Sequence, residues 1–110
     1  MRRVAALSPL DGTRLSDRFD MASIERQMVI TNKLGLHARP AMQFVDVANQ
    51  YRSHIRVWKG DQCVDGKSIM HMMMLAATEG TGLRIEANGD DAENAIDALE
   101  QLIKNRFGEE

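Results

Sequence analysis

The hydrophobic pattern of this chain of 110 residues changes its period several times, and this property constrains the fold most strongly. Apolar residues at i, i+3, i+4 and i+7 form one stripe on a helix, whereas strict alternation places them on one face of a strand. From residue 26 onward the two patterns follow each other as strand, helix, strand, strand, helix, strand, helix. A single sheet covered by helices buries all of these apolar faces together.

The strand segments predict a sheet with one buried face and one face in water. In the second strand, Ile55 and Val57 point one way, whereas His54, Arg56 and Trp58 point the other. The predicted strands are 26–31, 53–59, 62–64 and 83–87.

Each predicted helix carries one apolar stripe and a recognisable start. The first begins near Arg39 and Pro40, because proline suits a first turn. Ser68 is expected to cap the second helix, predicted at 69–78, and Asp90 or Asp91 the third. The predicted core stripe of the first helix is Ala41, Phe44, Val45 and Ala48, and that of the second is Met72, Leu75 and Ala76. The predicted stripe of the third helix is Ala92, Ala95, Ile96, Leu99, Leu102 and Ile103.

The element order predicts the fold class α+β, an open-faced β-sandwich with a four-stranded, mostly antiparallel sheet and three helices on one face. This domain is expected at residues 25–110. Residues 1–24 are predicted to be a disordered extension, because Pro9 and Gly12 interrupt any periodicity. Alternatively, Met21 is the true start of the protein. The pair Arg2 and Arg3 lacks the apolar stretch of a secretory signal.

Composition excludes several classes of function. A net charge of -2 argues against a general nucleic-acid binder, and the longest apolar run, 72–77, is too short to span a membrane. The single Cys63 excludes an internal disulfide framework, and its spacing from His54 and His71 matches no zinc site. We therefore expect a cytoplasmic protein without a metal or cofactor.

The segment 35–40, GLHARP, places His37 just before a predicted helix. The free amides at a helix start, here those of Ala38 and Arg39, favour an anion. The guanidinium of Arg39 is a planar donor for phosphate oxygens, and a neutral imidazole is a nucleophile near neutral pH. These residues predict that His37 forms a phosphoimidazole. The alternative is a solvated loop histidine without a chemical role.

A second segment, 65–70 (DGKSIM), has Ser68 at a helix start. An N-cap serine needs no functional explanation, but this position also tolerates the negative charge of phosphorylation. Ile69, Met70 and Met73 lie off the core stripe, and exposed methionine is typical of adaptable protein interfaces. They predict a partner surface, unless this helix is buried on two sides, as in an oligomer.

Both segments resemble those of a known family. The residues at 35–40 resemble the active-site signature of HPr, the histidine phosphocarrier of the bacterial phosphoenolpyruvate-dependent phosphotransferase system. The residues at 66–70 resemble its regulatory serine site, and the similarity extends from Arg26 to Phe107. Whether the chain serves the sugar or the nitrogen-related branch of the family stays open.

The resemblance implies that His37 accepts a phosphoryl group on Nδ1 from enzyme I and passes it to an acceptor domain of EIIA type. Arg39 would stabilise the transferred group. Ser68 would be modified by HPr kinase/phosphorylase in lineages that possess one, placing charge beside the partner surface. The resemblance implies a monomer with no bound cofactor. The alternative is a regulatory module controlled by Ser68 that acts on transcription factors or kinases.

Overall fold

The computed structural model describes residues 23–110, so the predicted extension ahead of Ser23 lies outside the described residues. The first strand spans Ser23–Val29 instead of the predicted 26–31, so it already includes residues 23 and 24, which were assigned to the extension. The elements are β1 (Ser23–Val29), α1 (Ala38–Ala48), β2 (His54–Lys59), β3 (Gln62–Asp65), α2 (Ile69–Met74), β4 (Gly82–Asn88), α3 (Ala92–Lys104) and a 3-10 helix (Arg106–Gly108).

The strands form one antiparallel sheet in the order β1-β4-β2-β3. Val57 of β2 lies opposite both Ile85 of β4 and Val64 of β3, and all three are buried. This register directs the apolar side chains of neighbouring strands to the same face. The predicted α+β open-faced sandwich is therefore confirmed.

The core lies between that face and the three helices. The predicted stripes of α1 and α3 are buried or packed against the core, because their apolar residues recur at helical spacing. On the other face, the guanidinium of Arg84 lies 4.5 Å from the centre of the Trp58 ring and 2.9 Å from Glu25. None of the helices between residues 23 and 110 combines the length and the hydrophobicity that a membrane-spanning segment needs.

The predicted extent of α2 is wrong, because the helix ends at Met74 instead of continuing to residue 78. Lys59 donates a hydrogen bond to the carbonyl of Leu75 at 2.8 Å, and the carbonyl of Ala77 accepts one from Leu36. These distant donors draw the chain out of the helix. Ala76 consequently has a left-handed φ of 49° and is exposed, so its predicted place in the core stripe is wrong. Ala77 is buried in its place.

Asp91 is the N-cap residue of α3, but its side chain does not cap the helix. Its carboxylate instead accepts hydrogen bonds from the hydroxyl and the amide of Ser53 and from the amide of Arg52. These bonds, above all the one from the Ser53 hydroxyl, lower the pKa of Asp91 to about 2. Asp91 thus joins the start of α3 to the chain entering β2.

We predict that Asp91→Ala lowers the melting temperature at neutral pH. A depressed carboxyl pKa stabilises the fold above the unfolded value of about 4, and this contribution is lost as the pH falls toward about 2. The difference in melting temperature between wild type and variant should therefore shrink across that interval. The control is Asp90→Ala, at the exposed neighbour. A pH-independent difference for Asp91→Ala would contradict this account.

Candidate functional site

His37 is the N-cap residue of α1, with extended backbone and a half-exposed side chain. The loop before it is held in place because Leu36 is buried and donates to the carbonyl of Ala77 at 2.8 Å. Gly35 has a φ of +69° and packs directly against the backbone of Ala77 and Thr78. This close approach of two loops presents the imidazole at the start of the helix.

The start of α1 can bind an anion. His37 makes no side-chain cap hydrogen bond, and within residues 23–110 no group accepts from the amides of Ala38 or Arg39. Pro40, the next residue, has no amide hydrogen to satisfy. The exposed side chain of Arg39 adds a permanent positive charge. Two free amides, the helix dipole and a guanidinium therefore lie beside the imidazole.

Glu109 is a residue of the site that the sequence analysis missed. Its Oε1 lies 2.8 Å from Nε2 of His37 and also accepts a hydrogen bond from the side-chain amide of Asn32 at 3.0 Å. Hydrogen bonds from His37 first, and from Asn32 second, lower the pKa of Glu109. Because an ionised carboxylate only accepts, Nε2 carries the hydrogen and the lone pair of the neutral ring is on Nδ1.

The 3-10 helix at the end of α3 brings Glu109 back to His37. Arg106 and Phe107 adopt left-handed φ values of 57° and 55°, which non-glycine residues rarely do. The buried ring of Phe107 anchors this turn in the core. The only local signal of this turn in the sequence is Phe107 followed by Gly108, just beyond the apolar stripe of α3. It indicates a turn but not the distant histidine that the turn approaches.

Ser68 caps α2, as predicted, because its Oγ accepts a hydrogen bond from the amide of His71 at 3.2 Å. The ring of His71 accepts in turn from the amide of Asp65. Among the described residues, no hydrogen bond links Ser68 to His37.

The outer side of α2 is apolar and exposed. Met70 and Met73 are 74% and 45% exposed, as predicted, whereas Ile69 is half-buried and packs against the core. Within the single chain, α2 is therefore buried on its inner side only. Four further large apolar residues between residues 23 and 110 are exposed but were not predicted to be so, namely Val29, Leu34, Met42 and Met74.

The weaker candidates do not assemble into a metal site. His54, His71 and Cys63 line a cavity of about 250 Å³ beside β3, together with Arg56 and Asp65. Within residues 23–110, no three histidine, cysteine or acidic residues are placed to hold a metal ion. Burial raises the pKa of the Cys63 thiol, which makes it a poorer nucleophile at neutral pH.

The fold and the site together define a class of protein. A small α+β sandwich that presents an imidazole with a free Nδ1 beside helix amides and a guanidinium has the geometry of a phosphoryl carrier. Comparison with known proteins agrees with this class. The family model described as "PTS HPr component phosphorylation site" matches residues 24–105.

Individual relatives agree with the family model. Phosphocarrier protein HPr of Pseudomonas aeruginosa is 51% identical over 84 residues, which cover 76% of this chain and 93% of the relative. The solved HPr-C-His of Thermoanaerobacter tengcongensis is 47% identical with a TM-score of 0.77, covering 79% of this chain and 98% of the other. A solved HPr dimer from that organism is 48% identical, with a TM-score of 0.64, covering 74% and 94%.

The chain belongs to the HPr family and is a phosphocarrier of the phosphotransferase system. These similarities to phosphocarriers do not favour the alternative, a regulatory module that acts on transcription factors or kinases.

Proposed function

We propose that His37 carries the phosphoryl group, accepting it on Nδ1 from enzyme I and passing it to an acceptor domain of EIIA type. The observation that carries this proposal is the 2.8 Å contact between Nε2 and Glu109, which leaves the lone pair on Nδ1. The ring is also 37% exposed, so a partner protein can reach it.

The transfer needs a nucleophile, correct positioning and compensation of charge. The Nδ1 lone pair of His37 attacks phosphorus, and the bond to the donor breaks with its electron pair remaining on the donor. The phosphoryl oxygens then meet the free amides of Ala38 and Arg39 and the guanidinium of Arg39. This chain requires no nucleotide site, because its donor is another protein.

The direct test is to incubate the chain with enzyme I and phosphoenolpyruvate and to map the modified residue. We expect an acid-labile, alkali-stable phosphate on His37. Mapping of the phosphate to His54 or His71 would contradict the proposal.

We predict that Arg39→Ala slows phosphoryl transfer by about tenfold to a hundredfold, because a hydrogen bond to a charged group contributes about 1.5–3 kcal/mol. Arg39→Lys should lie between this variant and wild type, since lysine keeps the charge but not the planar donor geometry. The matched control is Arg52→Ala, at an exposed arginine beyond the other end of α1. Single-turnover rates with phosphorylated enzyme I measure the effect, and a wild-type rate for Arg39→Ala would contradict it.

We also propose Ser68 as a regulatory phosphorylation site, with Ile69, Met70 and Met73 in the surface that contacts partners. The position of Ser68 at the start of α2, beside exposed methionines, supports this role. A phosphate there would add charge next to an apolar surface and weaken docking of enzyme I. Incubation with HPr kinase/phosphorylase and ATP, followed by mapping, tests the site.

The proposed carrier acts as a cytoplasmic monomer. His37, Arg39, Asn32 and Glu109 all come from one chain, so the site needs no second copy. Sedimentation of the purified protein at several concentrations tests the monomeric state.

A further inference from the structure

We propose that Asn32 and Glu109 are positioning residues that keep the hydrogen on Nε2 of His37 while the phosphoryl group enters and leaves through Nδ1. This inference rests on the proposed role of His37. It extends that role by assigning a function to two residues outside the GLHARP segment.

Asn32 holds Glu109 through a geometry that permits one orientation of the amide. Its nitrogen donates to the Glu109 carboxylate at 3.0 Å and to the carbonyl of Gly35 at 2.8 Å, and both of these oxygens are acceptors. Rotating the amide by half a turn would place its oxygen against two other oxygens. The observed orientation is therefore the one that the site enforces.

This orientation has a cost in free energy. Asn32 is completely buried, and its Oδ1 has no hydrogen-bond partner within the described part of the chain. An unsatisfied buried polar atom destabilises a fold, because it has lost its hydrogen bonds to water and gained none in the protein. An apolar residue at this position would avoid that cost but would leave Glu109 without its second hydrogen bond. The contact with Glu109 gives the buried amide a functional explanation.

The chemical consequence follows from the electron balance on the ring. When the Nδ1 lone pair forms the bond to phosphorus, the ring becomes a positively charged phosphoimidazolium that still carries the hydrogen on Nε2. Ionised Glu109 faces this hydrogen and stabilises the cation. Transfer to the acceptor returns the electron pair to Nδ1. No proton has to move in either direction.

The charges near the ring come from three segments. Arg39 on α1 is positive and also acts on Glu109, and Lys33 in the preceding loop is a second positive residue. The charge of Arg39, two residues after His37, disfavours a positive ring. The backbone oxygen of Glu110 accepts a hydrogen bond from the backbone amide of Lys33. Among these groups, Glu109 is the carboxylate that contacts Nε2, so its removal should have the largest effect.

The test is nitrogen NMR of the full chain labelled with ¹⁵N-histidine. In the unphosphorylated wild type, we expect the tautomer with hydrogen on Nε2, and in Glu109→Ala a mixture of the two tautomers. In the phosphorylated protein, Glu109→Ala should lose the Nε2 hydrogen at least about one pH unit lower, which is a tenfold change in the equilibrium. Asn32→Ala should shift in the same direction by less.

The control is Glu110→Ala, which removes the neighbouring exposed carboxylate and should leave both readouts at the wild-type value. Asn32 is buried, so its replacement can prevent folding. If Asn32→Ala does not fold, the result for Glu109→Ala alone decides the test. Phosphorylation of His37 with unchanged tautomer and titration in Glu109→Ala would overturn this inference alone. Absence of phosphate from His37 would overturn the proposed function, and with it the transfer step inferred here.

Discussion

Replacing His37 by alanine should reduce phosphoryl uptake from enzyme I and phosphoenolpyruvate by more than about a thousandfold, because it removes the attacking lone pair. Arg39 and the helix amides would remain, but none of them is a nucleophile. The fold should survive, since the half-exposed side chain of His37 makes no cap hydrogen bond. Retained labelling of a folded His37→Ala protein would disprove the proposed role.

The matched controls are the two other histidines of the chain. His54 lies exposed on the open sheet face, and the ring of His71 accepts a hydrogen bond from the amide of Asp65. His54→Ala and His71→Ala should both take up phosphate like wild type. Thermal unfolding of all three variants separates a loss of chemistry from a loss of fold.

The second large effect is expected for Gly35→Ala, which should lower the free energy of unfolding by about 2–5 kcal/mol. A left-handed backbone costs a non-glycine residue about 1–2 kcal/mol, and overpacking adds about 1–3 kcal/mol. The new Cβ would clash with the carbonyl oxygen of Ala77 and lie 2.9 Å from Cα of Thr78. Because both atoms belong to the backbone, neither can move aside as a side chain could.

Gly80→Ala is the matched control, because Gly80 also has a positive φ, +88°, but a Cβ there would meet nothing within 4 Å. It should therefore show the backbone strain alone, about 1–2 kcal/mol. Denaturant unfolding of both variants measures the difference. Equal losses would mean that the close approach of the His37 loop to Ala77 does not contribute to stability.

The fold was predictable because its signals are local. Ile55 and Val57 alternate with polar residues, and the α3 residues Ala95, Ile96 and Leu99 recur at helical spacing, so each element identifies its own buried face. The end of α2 was not predictable, because Lys59 and Leu36, which draw the chain out of the helix, are distant in sequence. Local propensity favours continuing a helix through 75–78.

The same distinction applies to the site. His37, the amides of Ala38 and Arg39 and the Arg39 guanidinium belong to one short segment, so chain connectivity alone brings them together at the start of α1. Glu109 is 72 residues away from His37, and it reaches Nε2 through two left-handed residues, Arg106 and Phe107, that no local preference predicts. The nucleophile and its anion-binding groups are thus encoded locally. The ring nitrogen left free to react depends on packing between the two ends of the domain.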